Sequence, residues 1–251
     1  MATYPKFRHL TVERVEGIAL ITLPGSPVPD TEIHDSLYHE LHDVWLPLSR
    51  DPEVEAVVVT GVGDQLLKRQ LPETNQLMTQ SALYDRALRM ITAQQLVHQI
   101  VTFPKPFVAA VNGHGSEHFL YADVVVASET ATFGDDHHVM DDLASGDGNP
   151  VMWPFLVGFA RAKQVLLQGL RFDAQRALEL GFVHEVVPQD KVREAGLAAA
   201  RRLADLPKLP FLATKLSVNN WFRFASLLAM EPGSAYQAAG MGAERWTASH
   251  A

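Results

Sequence analysis

Cysteine is absent from the chain, which excludes disulfides, thiolate nucleophiles and Cys-ligated zinc. Charge is sparse: 20% of residues carry it, against an apolar share of 47%, and the balance is −8. No stripe of clustered Lys and Arg offsets that balance, so neither a nucleic acid nor an anionic membrane is expected as a partner. No uninterrupted apolar run approaches the roughly 20 residues that span a bilayer. The opening stretch MATYPKFRHLTVERVEG lacks the apolar segment of a signal peptide, and a cytoplasmic location is expected. Low-complexity runs and repeats at solenoid spacing are missing too. Covalent, acid–base or metal chemistry must therefore come from His, carboxylates, Ser, Thr, Lys or Tyr.

What remains is 251 residues, enough for one domain or a domain with a small appendage. HLTVERV and GIALITL, joined at Glu16 and Gly17, read as a hairpin. From Thr31 the apolar positions Ile33, Leu37, Leu41, Val44, Trp45 and Leu48 recur at helical spacing, with Asp30 or Thr31 as N-cap. EAVVVTG, PFVAAVNG and ADVVVAS read as buried strands, with a long helix over roughly 81–101 between the first two. ARAKQVLLQG, FDAQRALELG and QDKVREAGLAAARRLADL are helical in pattern, and VHEVV is a short strand among them. Strands alternating with helices imply right-handed crossovers and a covered sheet, hence an α/β fold.

Between these elements lies FGDDHHVMDDLASGDG, residues 133–148, with five aspartates and two adjacent histidines and neither helical nor strand period. Taken alone it reads as a solvated acidic loop. DDHHVMDD could also hold a divalent cation. HGSEH, residues 114–118, satisfies the inverted zinc-protease pattern H-x-x-E-H. Asn112, Gly113 and Gly115 oppose the helix that pattern needs, and no metal is expected.

The ordered set AVVVTGVGD, FPKPFVAAVNG, ADVVVASETATFG, SGDGNPVMWPFLVGFARAKQVLLQG and ALELGFVHEVVP resembles the crotonase superfamily of enoyl-CoA hydratases and isomerases over roughly residues 10–190. The resemblance implies a crotonase-type spiral of ββα units with C-terminal helices. It divides the chain into a core, 1–190, and a C-terminal helical trimerisation region, 191–251, in a homotrimer or a hexamer built as a dimer of trimers.

Acyl-CoA members supply two backbone N–H groups to a thioester oxyanion from an Ala-Gly-Ala-Asp stretch and a glycine triplet. This chain has LLKRQLPET and HGSEHFLYAD at those places. Glu117 matches one hydratase glutamate, whereas the second falls in GDDHH, where there is none. The β-diketone hydrolase branch, typified by 6-oxocamphor hydrolase, departs from the acyl-CoA pattern in the same way. It cleaves a C–C bond by a retro-Claisen route without CoA or any other cofactor. Its histidine after the FG turn and the aspartate of its Gly-Asp-Gly correspond here to His138 and Asp147, and a further histidine corresponds to His34.

The resemblance implies His138 as general base and Asp147 as its orienting partner, since a carboxylate behind an imidazole fixes its tautomer. His34, in a first helical turn where the macrodipole disfavours positive charge, and His114, where oxyanion-hole backbone is missing, are the candidate stabilisers. Glu117, Leu143, Trp153, Phe155 and Tyr236 are the candidate substrate contacts for a small alicyclic diketone. Two other readings stand beside this one. One is an acyl-CoA hydratase or isomerase with a rebuilt oxyanion hole and Glu117 as acid or base. The other is a non-catalytic member of the fold.

Overall fold

The computed structural model describes residues 4, 6–24, 37–64, 66, 80–115, 117–135, 138 and 143–241, the side chain of Glu117 excepted. The hairpin is β1 (Thr11–Val15) and β2 (Ile18–Leu23), paired Val15 to Ile18 through Glu16 and Gly17, both at positive φ as a two-residue turn demands. β3 (Ala56–Gly61), β4 (Phe107–Val111), β5 (Val124–Ser128) and β8 (Glu185–Val187) extend β2 in parallel, giving the order β1-β2-β3-β4-β5-β8. A separate antiparallel pair joins β6 (Thr132–Phe133) to β7 (Phe172–Asp173).

β4 is apolar throughout, and β3 from Ala56 to Val59, because both of their faces are covered. Ile18, Leu20, Val58, Val108, Ala110 and Val126 face one side. Their alternates Ala19, Ile21, Val57, Val59, Ala109 and Val125 face the other. The second side carries α1 (Leu37–Asp43), α2 (Trp45–Arg50), α3 (Leu83–Thr102) and α4 (Asn149–Val157), and α5 (Phe159–Gln168) and α6 (Ala174–Leu180) join the same core through Ala162, Val165, Ala174 and Ala177. The helix expected from Thr31 onward is divided at Val44, because Pro47 has no N–H to continue the ladder. Asp30, Thr31 and Ile33 lie outside the described residues.

The first side is covered by α7 (Val192–Ala204), whose Val192, Leu197, Ala199 and Ala200 join that core. A Cβ on Gly196 would stand 2.6 Å from the Ala110 Cβ, so helix and sheet touch at backbone distance. The expected boundary at residue 190 thus separates the sheet from a helix that completes its core. The chain ends in α8 (Lys208–Gly240), which runs unbroken through Pro232 and packs along α3 and α4. Among the described residues no helix is long and apolar enough to cross a membrane.

α8 is pinned to the sheet by a buried ion pair. Lys215 Nζ donates to Asp123 Oδ2 at 2.7 Å and to the Lys105 carbonyl at 2.8 Å, and the Phe107 N–H donates to the same carboxylate oxygen at 2.8 Å. Asn219 Nδ2 adds a bond to the Val101 carbonyl at 2.9 Å.

Candidate active site

β6 ends at Phe133, and the chain turns inward so that Asp135 is fully buried. One carboxylate oxygen, Oδ1, lies 2.6 Å from His138 Nδ1, and the other accepts from Ser145 Oγ at 2.5 Å. A carboxylate only accepts, so where Asp135 is ionised the ring hydrogen sits on Nδ1 and Nε2 is left as the acceptor. Nε2 is 2.9 Å from Gln237 Nε2, an amide donor reaching in from α8, and 3.8 Å from Asp147 Oδ2. His138 itself is 1% exposed.

Asp147 is held by its other oxygen, which accepts from Asn149 Nδ2 at 2.9 Å. Its turn is fixed on both flanks: Ser234 Oγ donates to the Gly146 carbonyl at 2.7 Å, and Tyr121 Oη donates to the Gly148 carbonyl at 2.8 Å. Burial holds the Tyr121 hydroxyl well above its ordinary value, the Asp147 charge adding to it, so the group stays a neutral donor. Gly146 meets α8 at backbone distance; a Cβ there would lie 2.4 Å from the Gly233 carbonyl oxygen.

A second imidazole faces the same carboxylate. His118, on the 3-10 helix Glu117–Tyr121, brings Nε2 to 3.9 Å from Asp147 Oδ2. Its ring meets Tyr38 edge-on, with Nε2 3.3 Å from Tyr38 Oη, and the Arg89 guanidinium lies 5.2 Å over the Tyr38 ring. Separations of 3.8 and 3.9 Å exceed a direct hydrogen bond and suit a bridging water.

His138 and Asp147 therefore come together, although the carboxylate bonded to Nδ1 is Asp135 rather than the Asp147 expected as orienting partner. His114 turns to β6, its Nδ1 3.1 Å from Thr132 Oγ1. HGSEH is not one helix face, since only Glu117 and His118 of its pattern residues enter the 3-10 helix. Leu143 donates its N–H to the His138 carbonyl at 2.9 Å, and its side chain packs beside Met90, Ala238 and Met241.

Trp153, expected to line the pocket, is wholly buried against Phe172 and Phe182 in the core. Phe155, with the same expectation, is 50% exposed and packs on Phe222, lining a groove of about 820 Å³ with Leu206, Phe211 and Val218. Tyr236 is 72% exposed on the outer side of α8. One residue advances a helix by about 100°, so its neighbour Gln237 is the one that points inward. His34 and the side chain of Glu117 lie outside the described residues.

Asp135, Ser145, His118 and Gln237 were not singled out for this chemistry from the sequence. The spacing of Asp135 and His138, three apart beside the FG turn, was the one available signal, and nothing local distinguishes Gln237.

Comparison with known proteins finds relatives along most of the chain. The family described as enoyl-CoA hydratase/isomerase matches residues 13–231. A Mycobacterium tuberculosis protein named "Probable enoyl-CoA hydratase" is 31% identical over 232 residues, 89% of this chain and 86% of its own. An enoyl-CoA hydratase/isomerase from Mycobacterium paratuberculosis superposes with a TM-score of 0.86 at 28% identity, covering 96% of both chains. A β-diketone hydrolase from Anabaena, solved with (S)-3-oxocyclohexyl acetic acid bound, superposes at 0.84 with 27% identity, covering 94% of this chain and 95% of its own.

Proposed function

The chain belongs to the enoyl-CoA hydratase/isomerase family, and from that premise we propose that it is an enzyme hydrolysing a C–C bond of a small cyclic β-diketone without CoA. The observation that carries this is the buried His138, with its Nδ1 on Asp135 and its basic Nε2 turned toward Asp147 across 3.8 Å. Gln237 Nε2, which donates to that lone pair at 2.9 Å, gives way to a water, and the water then touches a base and a carboxylate at once. Its oxygen bonds to the substrate carbonyl carbon while one proton passes to His138 Nε2, and Asp135 stabilises the imidazolium that forms. When the adduct collapses, the C=O re-forms as a carboxylic acid. The C–C electron pair leaves as the enolate of the second ketone, which takes up a proton at carbon. No cofactor enters the balance. His34 and His114 are the candidates to hold the oxyanion; His114 exchanges its Thr132 bond to do so. The structural similarity to a β-diketone hydrolase supports the substrate class.

A second reading, hydration or isomerisation of an acyl-CoA with Glu117 as acid or base, is favoured by the names of the relatives. A panel of cyclic 1,3-diketones and, separately, crotonyl-CoA distinguishes the two. Gain of one water by a diketone, seen as a keto acid by mass spectrometry, is the expected result; hydration of crotonyl-CoA with inert diketones would transfer the assignment to the second reading. Silence on both would favour a non-catalytic role.

Association into a homotrimer or a dimer of trimers belongs to the same proposal. Leu209, Val218, Trp221, Phe224, Leu227 and Leu228 leave large apolar side chains exposed along α8, a density that monomers rarely present to water. Light scattering on the purified protein is expected to give three or six times the chain mass; a monomer at micromolar concentration would refute it.

A further inference from the structure

The hydrolysis assigned above needs an acid for the released carbon as well as a base for water, and His138 already serves as the base. His118 is the buried imidazole left over. It is 3% exposed, its ring is set by the edge contact with Tyr38, and its Nε2 lies 3.9 Å from the carboxylate oxygen that His138 Nε2 approaches to 3.8 Å. Asn149 occupies the other oxygen of Asp147, so Oδ2 alone is left to serve both rings. Two buried amide oxygens of the same cluster, Asn149 Oδ1 and Gln237 Oε1, have no hydrogen-bond partner among the described residues. Buried acceptors of that kind call for a hydroxyl donor, whether water or the hydroxyl of a tetrahedral adduct.

We propose that His118 is a second catalytic imidazole, which delivers the proton to the carbon freed by C–C cleavage, with Asp147 Oδ2 linking it to His138. This rests on the diketone hydrolase assignment.

The cycle begins with His118 as the imidazolium, hydrogen on both ring nitrogens and Nε2 facing the Asp147 carboxylate, and with His138 neutral. Water gives one proton to His138 Nε2 as its oxygen bonds to the carbonyl carbon. The C–C pair moves to the α-carbon as the acid's C=O forms, and the proton on His118 Nε2 is transferred to that carbon. The proton on His138 then passes to His118 by way of Asp147 Oδ2, a water bridging each of the two gaps. Over the cycle one proton of water replaces the one His118 gave to the α-carbon and the other stays on the carboxyl group, so atoms and charge balance. Among the described residues, the other ionisable groups packed about the pair are Asp135 behind His138, Tyr121 beside Asp147, and Tyr38 with Arg89 behind His118.

A cyclic 1,3-diketone with two different substituents on C2 makes the step visible, because protonation of the released carbon creates a stereocentre. The wild-type protein is expected to yield a keto acid of high enantiomeric excess. H118Q is expected to lower kcat by about 10²-fold, the scale of a lost general acid, and to release nearly racemic product because bulk water protonates the enolate. H118F serves as a second variant, and a melting curve on each separates misfolding from lost chemistry. Unchanged enantiomeric excess in either folded variant would overturn the role of His118 while leaving the hydrolase assignment intact. Inert diketones with wild-type protein would remove the hydrolase assignment and, with it, this role.

Discussion

Asp135→Asn is expected to lower kcat for diketone cleavage by about 10⁴-fold while the protein still folds. The carboxylate of Asp135 accepts at 2.6 Å from His138 Nδ1, which leaves the basic lone pair on Nε2. An asparagine amide turned with its NH₂ toward Nδ1 favours the opposite tautomer, whose Nε2 already carries hydrogen and cannot take a proton from water. The equivalent change behind the histidine of a serine protease preserves geometry and costs about 10⁴ in kcat for that reason. Asp147→Asn acts differently, because Asp147 Oδ2 stands 3.8 Å from His138 Nε2 and does not set the tautomer. Losing its charge weakens the hold on water and is expected to cost about 10²-fold. Steady-state kinetics on both variants checks the order. Should the Asp135 variant retain activity within a few-fold of wild type while the Asp147 variant is dead, the orienting role would pass to Asp147.

That division of labour shows how far the sequence could be read. β3 and β4 were legible because strands covered on both faces need uninterrupted apolar runs, and the β1–β2 turn because Glu16-Gly17 interrupts an alternating pattern. The path of α8 was not. Pro232 and Gly233 are residues that ordinarily interrupt a helix, yet this one continues, with Gly233 packed against Gly146 and Ser234 bonded to the Gly146 carbonyl. Tertiary contact there outweighs local propensity, and it also sets the helical phase that turns Gln237 inward and Tyr236 outward. Within the acidic loop, His138 and Asp147 stood out through resemblance to a known pattern. Asp135 did not, since composition cannot tell which of several neighbouring carboxylates is buried. Folding makes that choice, by placing Asp135 where Ser145 and His138 satisfy both of its oxygens.

Lys215→Met is expected to give the largest loss of stability, about 3–5 kcal/mol, because it strands a buried carboxylate. Asp123 sits at the head of β5, and its partner ammonium is 3% exposed. Burial pushes the Asp123 carboxyl above its ordinary value and the Lys215 ammonium below its own, in each case against the attraction of the pair. Without Lys215 the carboxyl rises further, leaving the Phe107 N–H as a remaining donor. A carboxyl whose folded value exceeds its unfolded one stabilises the fold below the unfolded value and loses that contribution as pH rises through the folded value. The variant's deficit should therefore be greatest near neutrality and shrink below about pH 4, where carboxyls are protonated in both states. At pH 7 the melting temperature is expected to fall by roughly 10 °C. Adding Asp123→Asn to Lys215→Met removes the stranded charge and should recover part of the loss. A single variant that melts with wild type at pH 7, or a double variant less stable than the single, would show that α8 is held to the sheet by its apolar contacts and not by this ion pair.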